Sequence, residues 1–126
     1  MDAACRVNFG YFYVISKIMK VIRNSILPIG REFGAINLFG VLFAKRDIRL
    51  TPEVMNHEEI HSRQMRELLY IPFYLIYVAE WFCRLVRCRG NSYRAYREIS
   101  FEREAYRHGP DLGYLPRRKP FAQWRQ

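Results

Sequence analysis

A chain of 126 residues has room for one domain with a modest core, and with 50% of its residues hydrophobic and 16% aromatic it is not a disordered segment. Its net charge of +9, from 21 Lys and Arg against 12 Asp and Glu, favours anionic partners such as acidic lipid headgroups, nucleic acid or acidic peptides. Cys5, Cys83 and Cys88 are odd in number and form no C-x-x-C pair, which argues against a disulfide framework or a cysteine-based zinc site.

The pattern along the chain predicts an α+β fold that is mostly helical and forms a single domain. Residues 7–23 read as an amphipathic leading helix: Phe9, Phe12, Tyr13, Ser16 and Met19 recur at helical spacing, and Lys17, Lys20 and Arg23 form a basic strip. Such a helix suits a membrane surface or a packed core face equally. The lysines interrupt its apolar run and no small-residue cleavage site follows, so it does not read as a signal peptide. Pro28 and Gly30 mark a turn. Residues 33–50 form a strand region, either one strand or a hairpin bent at Gly40, whose free edge can pair with an extended peptide.

Thr51 is a suitable N-cap, Pro52 suits the first helical position and Glu53 complements the helix dipole, so a helix is expected over 52–69. The most apolar stretch, 70–87, carries Pro72 near its start, Glu80 within it and Arg84 and Arg87 at its end. It reads as a helix kinked or restarted at Pro72, either shallow in a membrane or central in a small core. A third helix over 92–107 ends at Gly109-Pro110, and a basic, aromatic tail occupies 108–126.

The 52–69 helix carries the chemistry. His57-Glu58-Glu59-Ile60-His61 reads H-E-x-x-H. Positions i and i+4 stack on one helical face, so His57 and His61 can grip one metal ion from the same side. Glu58 sits one step around the helix, where it can take a proton from water without ligating the metal. Two nitrogens, an adjacent carboxylate base and open coordination are what a zinc hydrolase needs, so Zn²⁺ is the expected cofactor. Glu59 should face away. A third ligand is required, and no histidine follows at close spacing. The 92–107 helix offers Glu98, Glu102 and Glu104; Glu98 and Glu102 share a face, while Glu104 points elsewhere.

The motif, the apolar helix and then Ser100-Phe101-Glu102-Arg103-Glu104-Ala105-Tyr106 together resemble the gluzincin pattern of membrane zinc proteases of the HtpX, CAAX-prenyl-protease and beta-lactam-sensor types. The resemblance covers about residues 50–107. It implies that Glu102 is the third ligand. The family's aspartate four residues later, which supports a zinc histidine, is here Tyr106, a neutral phenol. The whole chain is also similar to small bacterial proteins that pair H-E-x-x-H with S-F-E-R-E-A-Y, a likeness that supplies no substrate. Tyr106, Arg103 and His108 are the candidates for supporting a ligand or an oxyanion.

The expectation is therefore a zinc-dependent peptidase with a peptide or protein substrate, associated with an anionic membrane surface on the cytoplasmic side, or else cytoplasmic. The rival reading is a non-catalytic membrane-associated or regulatory protein with a structural zinc site, which would have no use for Glu58. No nucleic-acid partner is expected, because no binding motif accompanies the charge.

Overall fold

The computed structural model describes residues 19–29 and 33–126. Their architecture is α+β: three short strands, then a succession of helices. Strands β1 (Val21–Asn24), β2 (Ala35–Leu38) and β3 (Val41–Lys45) make one sheet in the order β1-β3-β2, with β3 parallel to β1 and antiparallel to β2. The bend at Gly40 is a hairpin turn. Phe39 and Gly40 both have positive φ, 53° and 85°, the geometry that matches strand twist in a two-residue loop. Val21–Asn24 replace the end of the expected leading helix, since β3 offers them a full ladder partner. The rest of that helix, up to residue 18, lies outside the described residues.

Helix α1 (Pro52–Glu67) begins as its caps dictate, with Thr51 Oγ1 accepting from the Val54 amide at 3.2 Å and Pro52 in the first turn. It is the hub of the molecule. Met55 packs with Met19 and Leu42 under the sheet, Ile60 packs with Ala105, Tyr114 and Leu115, and Met65 packs with Phe73, Ile99 and Phe101. Buried side chains of this size contribute roughly 1.5–3 kcal/mol each. After Leu68, Leu69 and Tyr70 take positive φ values of 56° and 65°, and the chain turns by 113° into α2 (Ile71–Arg87). Pro72 sits in the first turn of α2, so the helix restarts rather than kinks.

Helix α2 is not the central core helix that its composition allowed. Phe73 is its one fully buried residue, and Ile71, Leu75, Val78, Phe82 and Val86 stand exposed. Among the described residues no single helix is long and apolar enough to cross a membrane; α1 and α2 together pass that test only as a bent pair.

The expected 92–107 helix is two helices, α3 (Ser92–Glu98) and α4 (Ser100–His108), broken at Ile99, whose ψ of 136° is extended. Burial drives the break: the Ile99 side chain is wholly enclosed beside Met65 and Phe73. Ile99 cannot cap α4. Glu80 reaches across from α2 instead, accepting from the Ser100 amide at 2.7 Å and its hydroxyl at 2.6 Å. At the other end of α4, the buried Asn56 side chain donates to the carbonyls of His108, Gly109 and Asp111. Gly109 is needed there because a Cβ would meet the Ala105 carbonyl at 2.8 Å and His57 Cβ at 3.4 Å.

Helix α5 (Tyr114–Arg117) and a 3₁₀ turn (Ala122–Trp124) fold the tail back over α4, burying Tyr114, Leu115, Ala122 and Gln123. Arg118 anchors it. This guanidinium contacts Glu104 with Nε at 2.7 Å and Nη2 at 3.0 Å, and also pairs with Glu67. Glu80→Ala removes the cap of α4 and is expected to destabilise the fold by about 2 kcal/mol, read as a lower urea midpoint with an unchanged slope.

Candidate metal centre

Helix α1 presents His57 and His61 on one face, with their rings edge to face and centroids 4.8 Å apart. Helix α4 crosses that face and supplies Glu102. His57 Nε2 and His61 Nε2 lie 3.1 Å apart, and Glu102 Oε2 lies 3.2 Å from His61 Nε2 and 3.4 Å from His57 Nε2. Three donor atoms thus converge on one point, and His57, His61 and Glu102 can hold a metal ion. Glu102 is buried, as is His61. Burial alone would push the Glu102 carboxyl up, but the imidazoles, His61 foremost, hold it well below the usual carboxylate range. Burial pushes His57 down. Burial also acts downward on His61, but the Glu102 charge more than reverses it, to about 9. The centre is a pocket of concentrated acceptors that attracts positive charge, whether a proton or a metal ion.

His61 and Glu102 are each oriented by a hydrogen bond from behind. His61 Nδ1 is 2.8 Å from Gln64 Oε1, an oxygen that only accepts, so Nδ1 carries its proton and Nε2 faces the centre. Gln64 is held in turn, its amide donating to the Phe101 carbonyl at 3.1 Å and to Glu104 at 3.4 Å. Through Glu104 and Arg118 the tail reaches the ligand set. The second oxygen of Glu102 accepts from the Tyr77 hydroxyl at 2.8 Å, which leaves one oxygen for a metal. Neither Gln64 nor Tyr77 was singled out in the sequence. An H-x-x-Q spacing after the second histidine was the available signal for Gln64. Tyr77 carried none, because its role depends on α2 lying beside α4.

Glu58 is buried beside the ligands without touching them through any hydrogen bond, and burial pushes its carboxyl up to about 7. Both Glu58 and the ligands border a cavity of about 530 Å³, walled by Phe33, Ile36, Leu38, Phe73, Tyr74 and Tyr96 among others. All of β2 lines it. Among the described residues β2 is an edge of the sheet, with no strand paired to its outer side. Asn37 clamps β2 to the motif: its amide donates to the Glu58 carbonyl at 2.9 Å and to Ser62 Oγ at 2.8 Å, and its oxygen accepts from Gly40.

The remaining candidates fall elsewhere. Tyr106 touches His57 only ring to ring, centroids 4.6 Å apart, and shares its hydroxyl with Tyr96 at 3.1 Å rather than bonding an imidazole. Arg103 is exposed and lines a separate hollow beside Tyr106, outside the cavity. His108 stacks on Tyr114 and bonds Gln126, away from the cavity. Glu98, on α3, pairs with Arg94 and meets Cys88, because the break at Ile99 separates its face from that of Glu102. Glu59 pairs with Arg66, as its position on the helix requires.

Gln64→Leu removes the acceptor behind His61 and is expected to weaken Zn²⁺ binding about 10- to 100-fold, measured by chelator competition, with helix content unchanged. Compared with known proteins, the chain matches no protein-family model, no curated protein and no solved structure.

Proposed function

We propose that the chain is a zinc-dependent peptide-bond hydrolase that works at a membrane surface, of the gluzincin type its motif resembles. The observation that carries this reading is the convergence of His57, His61 and Glu102 beside an unligated buried Glu58, at the floor of a cavity. Ligand atoms 2.0–2.1 Å from a tetrahedral zinc ion lie about 3.3–3.4 Å apart, and the distances here are 3.1, 3.2 and 3.4 Å. Two imidazoles and one carboxylate are a common catalytic set for zinc. A structural site would be closed by four protein ligands. Among the described residues this one has three and faces the cavity.

A bound zinc ion would supply Lewis-acid polarisation of the scissile carbonyl and make water acidic enough to deprotonate near neutrality. The residues of the chain do the rest. The raised proton affinity of Glu58 suits it to take a proton from water and deliver it to the leaving amine. The open edge of β2 binds the substrate backbone as an added strand and sets the register of the scissile bond. The cavity's apolar walls take large apolar side chains and exclude water. Of the phenols at the cavity, Tyr77 is committed to Glu102 and Tyr74 to the Phe39 amide. Tyr96, whose partner is the Tyr106 hydroxyl, remains as the donor to the developing oxyanion.

The wild-type protein should purify with, or take up, one zinc per chain, and His57→Ala and Glu102→Ala should lose it. Glu58→Gln should keep the zinc and lose cleavage of a peptide mixture by at least about 100-fold. Retention of full activity by Glu58→Gln would sink the mechanism.

The membrane part of the reading rests on α2. Ile71, Leu75, Val78, Phe82 and Val86, spaced by 4, 3, 4 and 4 residues, form one stripe exposed by 50–79%. The stripe is about 22 Å long at the helical rise and ends among Arg84, Arg87 and Arg89. An apolar stripe bordered by arginines on a chain of net charge +9 fits an anionic bilayer interface, with α2 lying in its plane. The protein should co-sediment with phosphatidylglycerol vesicles. Leu75→Glu with Phe82→Glu should lower that binding by more than about 10-fold. A stable dimer in solution, broken by the same substitutions, would show instead that a second copy covers the stripe.

A further inference from the structure

Helices α3 and α4 and the end of the tail border a second hollow of about 330 Å³, lined by Arg97, Arg103, Tyr106, Arg107 and Gln126. Three guanidinium groups meet there, and among the described residues no carboxylate lies within 4 Å of Arg97, Arg103 or Arg107. Arg103 and Arg107 stand one turn apart on α4, a like-charge spacing that costs the helix stability. The Gln126 side chain is already engaged, with His108 and the Ala122 carbonyl. Arg97 has an aromatic partner in Tyr106, whereas Arg103 and Arg107 have no ion-pair partner among the described residues.

Its position ties it to the metal centre. The Arg97 guanidinium lies over the Tyr106 ring, its Cζ 3.7 Å from the ring centre, and that ring in turn meets His57 edge to face with centroids 4.6 Å apart. One aromatic ring therefore separates the basic hollow from a metal ligand. A peptide residue spans about 3.3–3.6 Å when extended, so a substrate chain that rounds the Tyr106 ring reaches the arginines about three residues from the ligand set.

We infer that this hollow is a subsite for a carboxylate of the substrate, held by Arg97, Arg103 and Arg107 and flanking the bond to be cleaved. This rests on the hydrolase reading above and narrows it: the substrate is a peptide that is apolar where it fills the main cavity and anionic on the side of Tyr106. Guanidinium groups suit this because their planar fork grips both carboxylate oxygens. The carboxylate has two sources, an acidic side chain or a free C-terminus. A lipid phosphate is disfavoured, because only the Tyr106 ring separates the hollow from His57 of the ligand set.

The test is binding, read by fluorescence anisotropy on the zinc-loaded, full-length Glu58→Gln protein. The probes are labelled apolar octapeptides in which a single Glu or Gln is moved along the chain, each made with a C-terminal acid or amide. At one register the Glu peptide, or at the C-terminus the acid, should bind at least about 10-fold more tightly than its neutral counterpart. Arg103→Gln with Arg107→Gln should bring that ratio close to one, whereas Arg94→Gln, outside the hollow, should leave it unchanged. A preference for Glu identifies the side chain as the source, and a preference for the acid identifies the C-terminus. A ratio near one at every position, no peptide binding at all, or an undiminished ratio in the double variant overturns the proposal. So does a double variant that loses only its binding to phosphatidylglycerol vesicles, because the hollow then serves a headgroup. Cleavage of the same peptides by the wild-type protein is scored separately. Its absence alongside an intact preference would refute the hydrolase and leave the subsite standing.

Discussion

Two imidazoles and a buried carboxylate aimed at a single point are the constraint around which this molecule is built. Such a group of acceptors is unfavourable in a low-dielectric interior unless positive charge sits among them and every partner is held in place. Glu102 can remain charged at that depth only because His57 and His61 face it, and they face it only because α1 and α4 cross at this residue. The short connections that position α4 are therefore as much part of the centre as the ligands are.

Three polar devices perform that positioning. Glu80, a carboxylate in the most apolar helix, caps the first turn of α4 two residues before Glu102. Asn56, one residue before His57, satisfies the carbonyls where α4 ends. Gln64 links His61 to Glu104, which Arg118 grips from the tail together with Glu67. Removing one partner of such a buried ion pair typically costs about 3–5 kcal/mol. The tail thus acts as a brace on the ligand set rather than as a loosely attached aromatic cover. On the opposite side Asn37 ties β2 to the backbone of Glu58, coupling the edge that would bind a peptide to the residue that would activate water.

The two faces outside the centre divide by chemistry. The stripe on α2 exposes branched and aromatic apolar groups that the core does not need, and the hollow beside α3 and α4 gathers arginines that no acid among the described residues pairs with. Both depart from what stability alone would select, which is why each is read as a surface awaiting a partner.

What could be read from the residues alone was whatever depends on near neighbours along the chain. Spacing of i and i+4 placed His57 and His61 on one face, Thr51 and Pro52 located the start of α1, and Gly40 marked the bend that became the hairpin. The mostly helical α+β class followed from the same local patterns. Local pattern left Glu98 and Glu102 on one face, and only the resemblance named Glu102; what separates them physically is the break at Ile99, a buried isoleucine held by residues from two other helices. The end of the leading helix was misread for a like reason: Val21–Asn24 are strand only because β3 lies alongside. The roles of Tyr77, Arg118 and the exposed face of α2 were likewise decided by packing between elements distant in sequence. Periodicity reports which residues share a face, but only the tertiary structure brings two faces together and decides what each one meets.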